Sequence, residues 1–398
     1  MTQAILTLNA GSSSIKFSLF EIGAGDTMTL VSKGEVESIG SAPHFIARDM
    51  QGKILAERRW AKADEDFGPL LEEMIAWIEK DLGGDTLMAV GHRIVHGGPD
   101  HDRPERVTPD LLKLLERLTP LAPLHEPHSL APIYAIGKIR PQLPQVACYD
   151  TAFHHALPKV ATRFALPREF EAEGVRRYGF HGLSYEYISR QLRKLAPDLA
   201  NGKVIAAHLG NGASLCAMQG GRSIDTTMGF TALDGLMMGT RCGSLDPGVV
   251  LYLEQEKKMT AKQVEDLLYR KSGLLGVSGG LASDMRTLLA SQDVHAREAL
   301  ELFVYRIARE VGALTSSLGG LDGIVFTAGI GEHAPPIRAW VCERLRWLGV
   351  ILDEKANADG ADVISSPQSR IAVRVIPTDE EAMIARHTLD IVRGVSPA

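Results

Sequence analysis

The chain has no apolar run long enough to cross a membrane, which removes an integral membrane protein from the expected classes. Its start, "MTQAILTLNA", has neither the charged opening nor the long apolar core of a secretory signal, so a cytoplasmic location is expected. Cysteine is scarce: Cys148, Cys216, Cys242 and Cys342 are scattered with no CxxC spacing. They read as reduced thiols, not as a disulfide framework. His92/His96 and His125/His128 are spaced to share a face, but no HExxH is present and no zinc site is expected. A net charge of −6, without a basic stripe or tail, argues against nucleic acid as the main partner. Neither GxxxxGK[ST] nor GxGxxG occurs, so a P-loop and a Rossmann site are both excluded as routes to nucleotide binding.

What is present is the composition of a soluble globular protein, 45% apolar and 23% charged over 398 residues. That length points to two domains or one large α/β unit. Strand candidates "AILTL", "IKFSLF", "LMAVGHRIVH", "QVACYD", "KVIAAHLG", "ASLCAMQ", "GIVFTAG" and "IAVRVIPT" alternate with helical segments. Thr108-Pro109 and Asp246-Pro247 each place a capping residue before a proline at the first helical position. "VHAREALELFVYRIAREVGALTSSLGG" sets Leu300, Val304, Ile307, Val311 and Leu314 on one face and closes on paired glycines, which predicts the longest helix. "PIRAWVCERLRWLG" reads as a second proline-started helix.

A weak internal repeat is more informative. "AILTLNAGSSSIKF" (4–17) and "VIAAHLGNGASLCA" (204–217) share an apolar run, a polar residue, a turn of small residues and an apolar return. Asn9 aligns with His208, Gly11 with Gly210 and Ser12 with Asn211. Two such hairpins half a chain apart suggest a duplicated domain with a cleft between the copies. Turns of Gly and Ser allow close backbone approach and offer N–H and hydroxyl donors to phosphate oxygens. A third glycine turn, "TAGIGEH" (327–333), follows the strand "GIVF" and precedes a helix, a place where a ligand meets the carboxyl end of a strand.

"LTLNAGSSSIKFSLF", "GHRIVHGG", "YGFHGLSY", "HLGNGASL", "DTTMGFTALDGLMMGTRCGSLDPG", "AGIGEH" and "IPTDEEAMIA" together resemble the acetokinase family, a branch of the actin/hexokinase/Hsp70 superfamily, from residue 4 to about residue 390. The resemblance implies a duplicated ribonuclease-H-like α/β fold. Residues 1–150 with the C-terminal segment 379–398 form one actin-like domain, and 151–378 form the nucleotide-binding one. It further implies a homodimer that uses ATP and a divalent metal, Mg²⁺ with Mn²⁺ as substitute, to phosphorylate acetate reversibly. A carboxylate substrate is already ionised at neutral pH, so it needs a positioned cation more than a general base.

On the matching positions, the resemblance makes Arg93 the cation for that carboxylate, and a guanidinium suits the task by two parallel hydrogen bonds. Arg241 and His181 would stabilise the migrating phosphoryl group. Asp150, at the end of "QVACYD", reads as a helix cap or as the residue orienting Arg93. Asn9 and one acid of "IPTDEEAMIA" would hold the metal; Thr378 and Glu381 have capping-box spacing, which leaves Glu380. Phosphates fall to Ser12, Ser14, Lys16, His208, Leu209, Gly210, Asn211 and Gly212. Adenosine falls to Asp284, Met285, Arg286, Gly329, Ile330, Gly331, Glu332 and His333, with His333 standing where the family frequently has asparagine. Val95, Leu124, Phe180 and Ala232 would form the apolar wall beside the acid; Ala232 stands where proline is common. One methylene discriminates by only about 1–3 kcal/mol. Val95, larger than alanine, favours acetate over propionate or butyrate.

Overall fold

The computed structural model describes residues 3–11, 14–39, 41–60, 67–82, 86–119 and 126–395. They divide into two units: Met1–Ala152 with Asp379–Ala398, and Phe153–Thr378. Among the described residues no helix is long and apolar enough to cross a membrane.

In the first unit, β1 (Gln3–Ala10), β2 (Ile15–Ile22), β3 (Met28–Glu37), β4 (His44–Asp49) and β5 (Ile54–Arg59) run antiparallel in sequence. On the other side of β1, β6 (Thr86–Ile94) and then β8 (Gln145–Tyr149) lie parallel to it, with the two-residue β7 (Glu105–Arg106) at the edge. The order is β5-β4-β3-β2-β1-β6-β8-β7. Alternation along β1 decides which residues face which layer. Ala4, Leu6 and Leu8 pack with Leu71, Met74, Ile75 and Ile78 of the helix Phe67–Asp81. Ile5 points the other way, against Ala385 and Leu389 of the helix Glu380–Arg393. Asn9 shares the parity of Ile5, on the face that this helix covers. At Gly91 a Cβ would lie 2.2 Å from Thr388 Oγ1, so only glycine lets the helix lie so close to β6.

The second unit has the order β11-β10-β9-β12-β13, from β9 (Lys203–Leu209), β10 (Ala213–Gln219), β11 (Arg222–Thr226), β12 (Gly323–Thr327) and β13 (Ala372–Val375). β9–β10 and β10–β11 are antiparallel, while β12 is parallel to both β9 and β13. This is the plan of β3-β2-β1-β6-β8 in the first unit, so the duplication suggested by two hairpins extends to five strands. Val204, Ala206, Cys216 and Met218 face Tyr185, Ile188 and Leu192 of the helix Gly182–Leu195.

Helix starts follow the expected chemistry. Thr108 Oγ1 accepts from the Leu111 N–H and Asp246 Oδ1 from the Gly248 N–H, each before a proline at the first position. The long helix is Val294–Leu318, ending on Gly319 in the left-handed region with the five expected residues buried. Cys148, Cys216, Cys242 and Cys342 are all free thiols.

Three expectations change. Residues 328–333 are not a glycine turn but a short helix, Ala328–His333. The capping box at Thr378/Glu381 does not form: Asp379 is the N-cap and accepts from the Ala382 N–H at 2.8 Å, because Thr378 is engaged elsewhere. β3, β4, β5 and β11 lie in segments where no strand was expected. Their burial alternates irregularly with polar residues, so their apolar signal is weak.

Glu126, first residue of the helix Glu126–Ile139, is fully buried. Burial pushes its carboxyl up to about 8, and the His96 N–H opposes this only in part. A carboxyl raised above its unfolded value of about 4.3 costs stability as pH rises from there through the folded value. Glu126→Gln is therefore expected to remove a loss of stability between pH 5 and 8 that urea unfolding of the parent chain at both pH values will display.

Candidate active site

The polar residues of the first unit converge at the carboxyl ends of its parallel strands, where open α/β sheets bind ligands. Arg93, next to last in β6, has the same facing as Gly91 and reaches Asn9 at the end of β1. Its Nη1 donates to Asn9 Oδ1 at 3.2 Å and its Nη2 to Asp150 Oδ2 at 2.6 Å. Asp150 follows β8 and is 1% exposed. Its carboxylate accepts this hydrogen bond from the guanidinium, an arrangement that suits an orienting role. Glu380 Oε2 lies 3.8 Å from Arg93 Nε, and the Glu380 side chain is 14% exposed. Lys16 is the cross-strand partner of Asn9.

Charge explains the cluster. Burial pushes the Glu380 carboxyl up to about 7; Arg93 pulls it down, Asp150 and Glu381 push it up, and Lys16 pulls it down. For Arg93, burial opposes the charge, but Asp150 and Glu380 more than offset it, so the guanidinium is held in its protonated form. Among the described residues no group of three or more His, Cys, Asp or Glu side chains is set to hold a metal. The donors at hand are hard oxygens, the Asn9 amide and the Glu380 carboxylate. That set fits Mg²⁺, which keeps several waters, and does not suit zinc.

In the second unit, His181 sits at the N-cap of the helix Gly182–Leu195 with φ 59°. Such a left-handed conformation is uncommon outside glycine and worth notice where histidine adopts it. Its ring stacks on His208, with centroids 4.1 Å apart and planes 14° from parallel. His181 Nδ1 is hydrogen-bonded to Ser214 Oγ at 2.8 Å, and Ser214 in turn to Tyr185 Oη. His208 Nδ1 is hydrogen-bonded to Ser184 Oγ at 2.8 Å, and Ser184 to Thr378 Oγ1 at 2.8 Å. Strand parity produces this arrangement: His208 pairs with Ser214 across β9 and β10, and both face the start of that helix.

Arg241 reaches the same place, held by its Nη1 donating to the Ala232 carbonyl at 2.6 Å. A Cβ on Gly212 would stand 2.8 Å from Arg241 Nη2 and 3.2 Å from His181 Nε2. The turn is thus bare backbone facing two donors. Gly210 N–H donates to the Gly212 carbonyl at 3.0 Å and Gly239 N–H to the Asn211 carbonyl at 3.0 Å, which fixes the turn. Leu209 contributes main chain only, because its side chain is fully buried.

Asp284, Met285, Arg286, Gly329, Ile330 and His333 line one cavity of about 750 Å³ with Leu289, Ala290 and Ala334. Asp284 also caps its helix through the Thr287 N–H at 2.9 Å. Gly331 is buried, and Glu332 Oε1 accepts from the Thr378 N–H at 3.2 Å. His333 is 80% exposed. Val95 lies buried in the first unit, and Phe180 is buried and Ala232 half-buried in the second. Ser14 is half-buried at the foot of β2, while Ser12 and Leu124 lie outside the described residues. Sequence reasoning passed over Ser184, Tyr185 and Ser214, which hold the two imidazoles. Ser184 and Tyr185 fall three and four residues after His181, one helical turn on, which is the signal that finds them.

A guanidinium with hard-oxygen donors in one unit, and an arginine with two imidazoles over a glycine turn in the other, is the equipment of a phosphotransferase. Residues 4–386 match the acetokinase family. The chain is 56% identical over 398 residues to an acetate kinase of Rhodopseudomonas palustris, covering 99% of this chain and 100% of that one. The crystal structure of Porphyromonas gingivalis acetate kinase superposes with a TM-score of 0.88 at 36% identity, covering 98% and 100% of the two chains. A propionate kinase from Francisella tularensis superposes with a TM-score of 0.90 at 35% identity, covering 98% and 99%. The chain belongs to the acetokinase family.

Removing the cation from the first cluster leaves buried carboxylates facing one another. Arg93→Ala is expected to lose about 3 kcal/mol of stability at pH 8, the scale for a broken buried pair. The loss shrinks toward pH 5, where protonation of Glu380 relieves the repulsion, and Arg93→Lys avoids most of it; urea titrations at both pH values measure this.

Proposed function

We propose that this chain transfers the γ-phosphoryl group of ATP reversibly to acetate, giving acetyl phosphate and ADP by direct in-line displacement. The observation that carries the reading is the Arg93 guanidinium, locked by Asp150 and Asn9 at the strand ends. It has five N–H groups, of which these residues take one each, so a carboxylate still meets donors already aimed. A carboxylate oxygen of acetate attacks the γ-phosphorus, the bond from that phosphorus to the bridging oxygen breaks, and ADP leaves with the electron pair. No proton moves, which agrees with an Asp150 engaged in holding Arg93. Arg241 and His181 act as donors to the charge on the phosphoryl oxygens as it redistributes. Built-in arginines of this kind are worth roughly a thousandfold in rate. The β9–β10 turn and β1–β2 hairpin, with Ser12, Ser14 and Lys16, bind the phosphates, and the 750 Å³ cavity takes the adenosine. Asn9 and Glu380 would hold Mg²⁺, or Mn²⁺ in its place, which supplies charge neutralisation at the phosphate oxygens.

Val95 limits the length of the acid, so acetate is preferred over propionate and butyrate. A non-catalytic nucleotide-binding protein would need the phosphate turns but has no use for Arg93, His181 and Arg241 together. A cytoplasmic homodimer completes the proposal. The helix Pro247–Gln255 buries none of its residues although it carries Val249, Val250, Leu251, Tyr252 and Leu253, and Leu245 beside it is also exposed. An exposed apolar face of this kind suits a second copy of the chain.

Acetyl phosphate trapped as the hydroxamate is the direct assay. Activity is expected with acetate, more weakly with propionate and least with butyrate, and Arg93→Ala and Arg241→Ala should each fall by about a thousandfold. Unchanged activity in both variants overturns the mechanism, and equal kcat/KM for the three acids overturns the role of Val95. Leu251→Glu is expected to convert the sedimentation profile from dimer to monomer.

A further inference from the structure

One polar network in the second unit joins elements that the proposed reaction uses separately. Arg338 is fully buried; its Nη1 donates to the carbonyls of Gly331 at 2.9 Å and Glu332 at 2.7 Å, while its Nε and Nη2 donate to Asn357. The end of the helix Ala328–His333, whose Gly329, Ile330 and His333 line the cavity, is thereby pinned from below. The carboxylate of Glu332 accepts from the Thr378 N–H. The Thr378 hydroxyl is bonded to Ser184, which is bonded to the ring nitrogen of His208 opposite the one that faces the glycine turn. Thr378 is also where the chain leaves this unit.

We propose that Thr378 is a positioning residue for the nucleotide, coupling the cavity helix to the phosphate-facing imidazole of His208. Its N–H fixes Glu332, and with it the end of the helix under the adenosine. Its hydroxyl fixes Ser184 and so the tautomer and tilt of His208. A nucleotide held at both ends by one network is aligned along its length, and alignment is what phosphoryl transfer demands. The inference rests on the function proposed above, but its binding consequence can be read without turnover.

The test compares Thr378→Val, which keeps the shape and main-chain N–H but loses the hydroxyl, with Thr378→Ser, which restores it, and with Ser184→Ala alone and combined. For Thr378→Val we expect ADP affinity by calorimetry to fall about fivefold and kcat about tenfold, the scale of one lost hydrogen bond in a positioned network. KM for acetate should stay unchanged, and Thr378→Ser should recover both losses. The Ser184→Ala/Thr378→Val double variant should be no worse than Ser184→Ala, because the two act in one path. Additive losses, a parallel rise in the KM of acetate and ATP, or wild-type behaviour of Thr378→Val would each overturn the proposal. If the parent chain makes no acetyl phosphate yet the ADP affinities follow this order, the functional reading fails and the network stands.

Discussion

A guanidinium between one fully buried carboxylate and one largely buried one sets the terms for the first unit. Asp150 and Glu380 come from segments more than two hundred residues apart, and without Arg93 they would repel each other in a place poor in water. At a separation of 4 Å, two unit charges near a protein surface interact by about 4 kcal/mol, several times the net worth of an ordinary hydrogen bond. Charge, not packing, therefore decides how the strand ends are finished. The rest of the unit serves that requirement. The parity of β1 and β6 points Asn9 and Arg93 to one face, and the missing side chain at Gly91 lets the C-terminal helix descend far enough to bring Glu380 in.

The second unit repeats the scaffold and changes the chemistry. In both sheets the polar residue that ends the first strand of the repeat faces the start of a helix. In the first unit that residue is Asn9, beside a cluster of acids; in the second it is His208, stacked on another imidazole and bordered by an arginine. The same five strands thus carry a hard-oxygen, partly anionic group once and a cationic, donor-rich group once. Duplication followed by divergence of a few strand-end residues is sufficient to account for both.

Much of this is legible in the sequence wherever a strong local rule operates. The apolar runs of β1, β2, β9, β10 and β12, the caps at Thr108 and Asp246, and the apolar stripe of Val294–Leu318 all follow from patterns of a few residues. Arg93 stands out because a charged side chain between an apolar strand and paired glycines needs a reason, whereas His181 and Arg241 are reached only through the family resemblance. The outer strands β3 to β5 are hidden because an edge of a sheet carries polar residues and tolerates irregular alternation. The capping box at Thr378 was misread for a different reason. Its hydroxyl is drawn to Ser184, nearly two hundred residues away, and a local spacing rule has no knowledge of a distant competitor. Arg338 is the extreme case, since a lone arginine in a helix gives no sign of burial, and its acceptors are main-chain carbonyls and one amide.

The helix Glu380–Arg393 covers the inner strands of the first sheet, yet the whole second unit separates it from them along the chain. During synthesis, the amino-terminal strands leave the ribosome early but lack the layer that shields Ile5, Phe20 and Ile22 until residues 380–393 emerge. The contiguous second unit, Phe153–Thr378, has no such debt and is complete before that helix exists. A nascent chain therefore carries one sheet face bare while the whole second unit is made, an apolar surface open to aggregation until that helix docks.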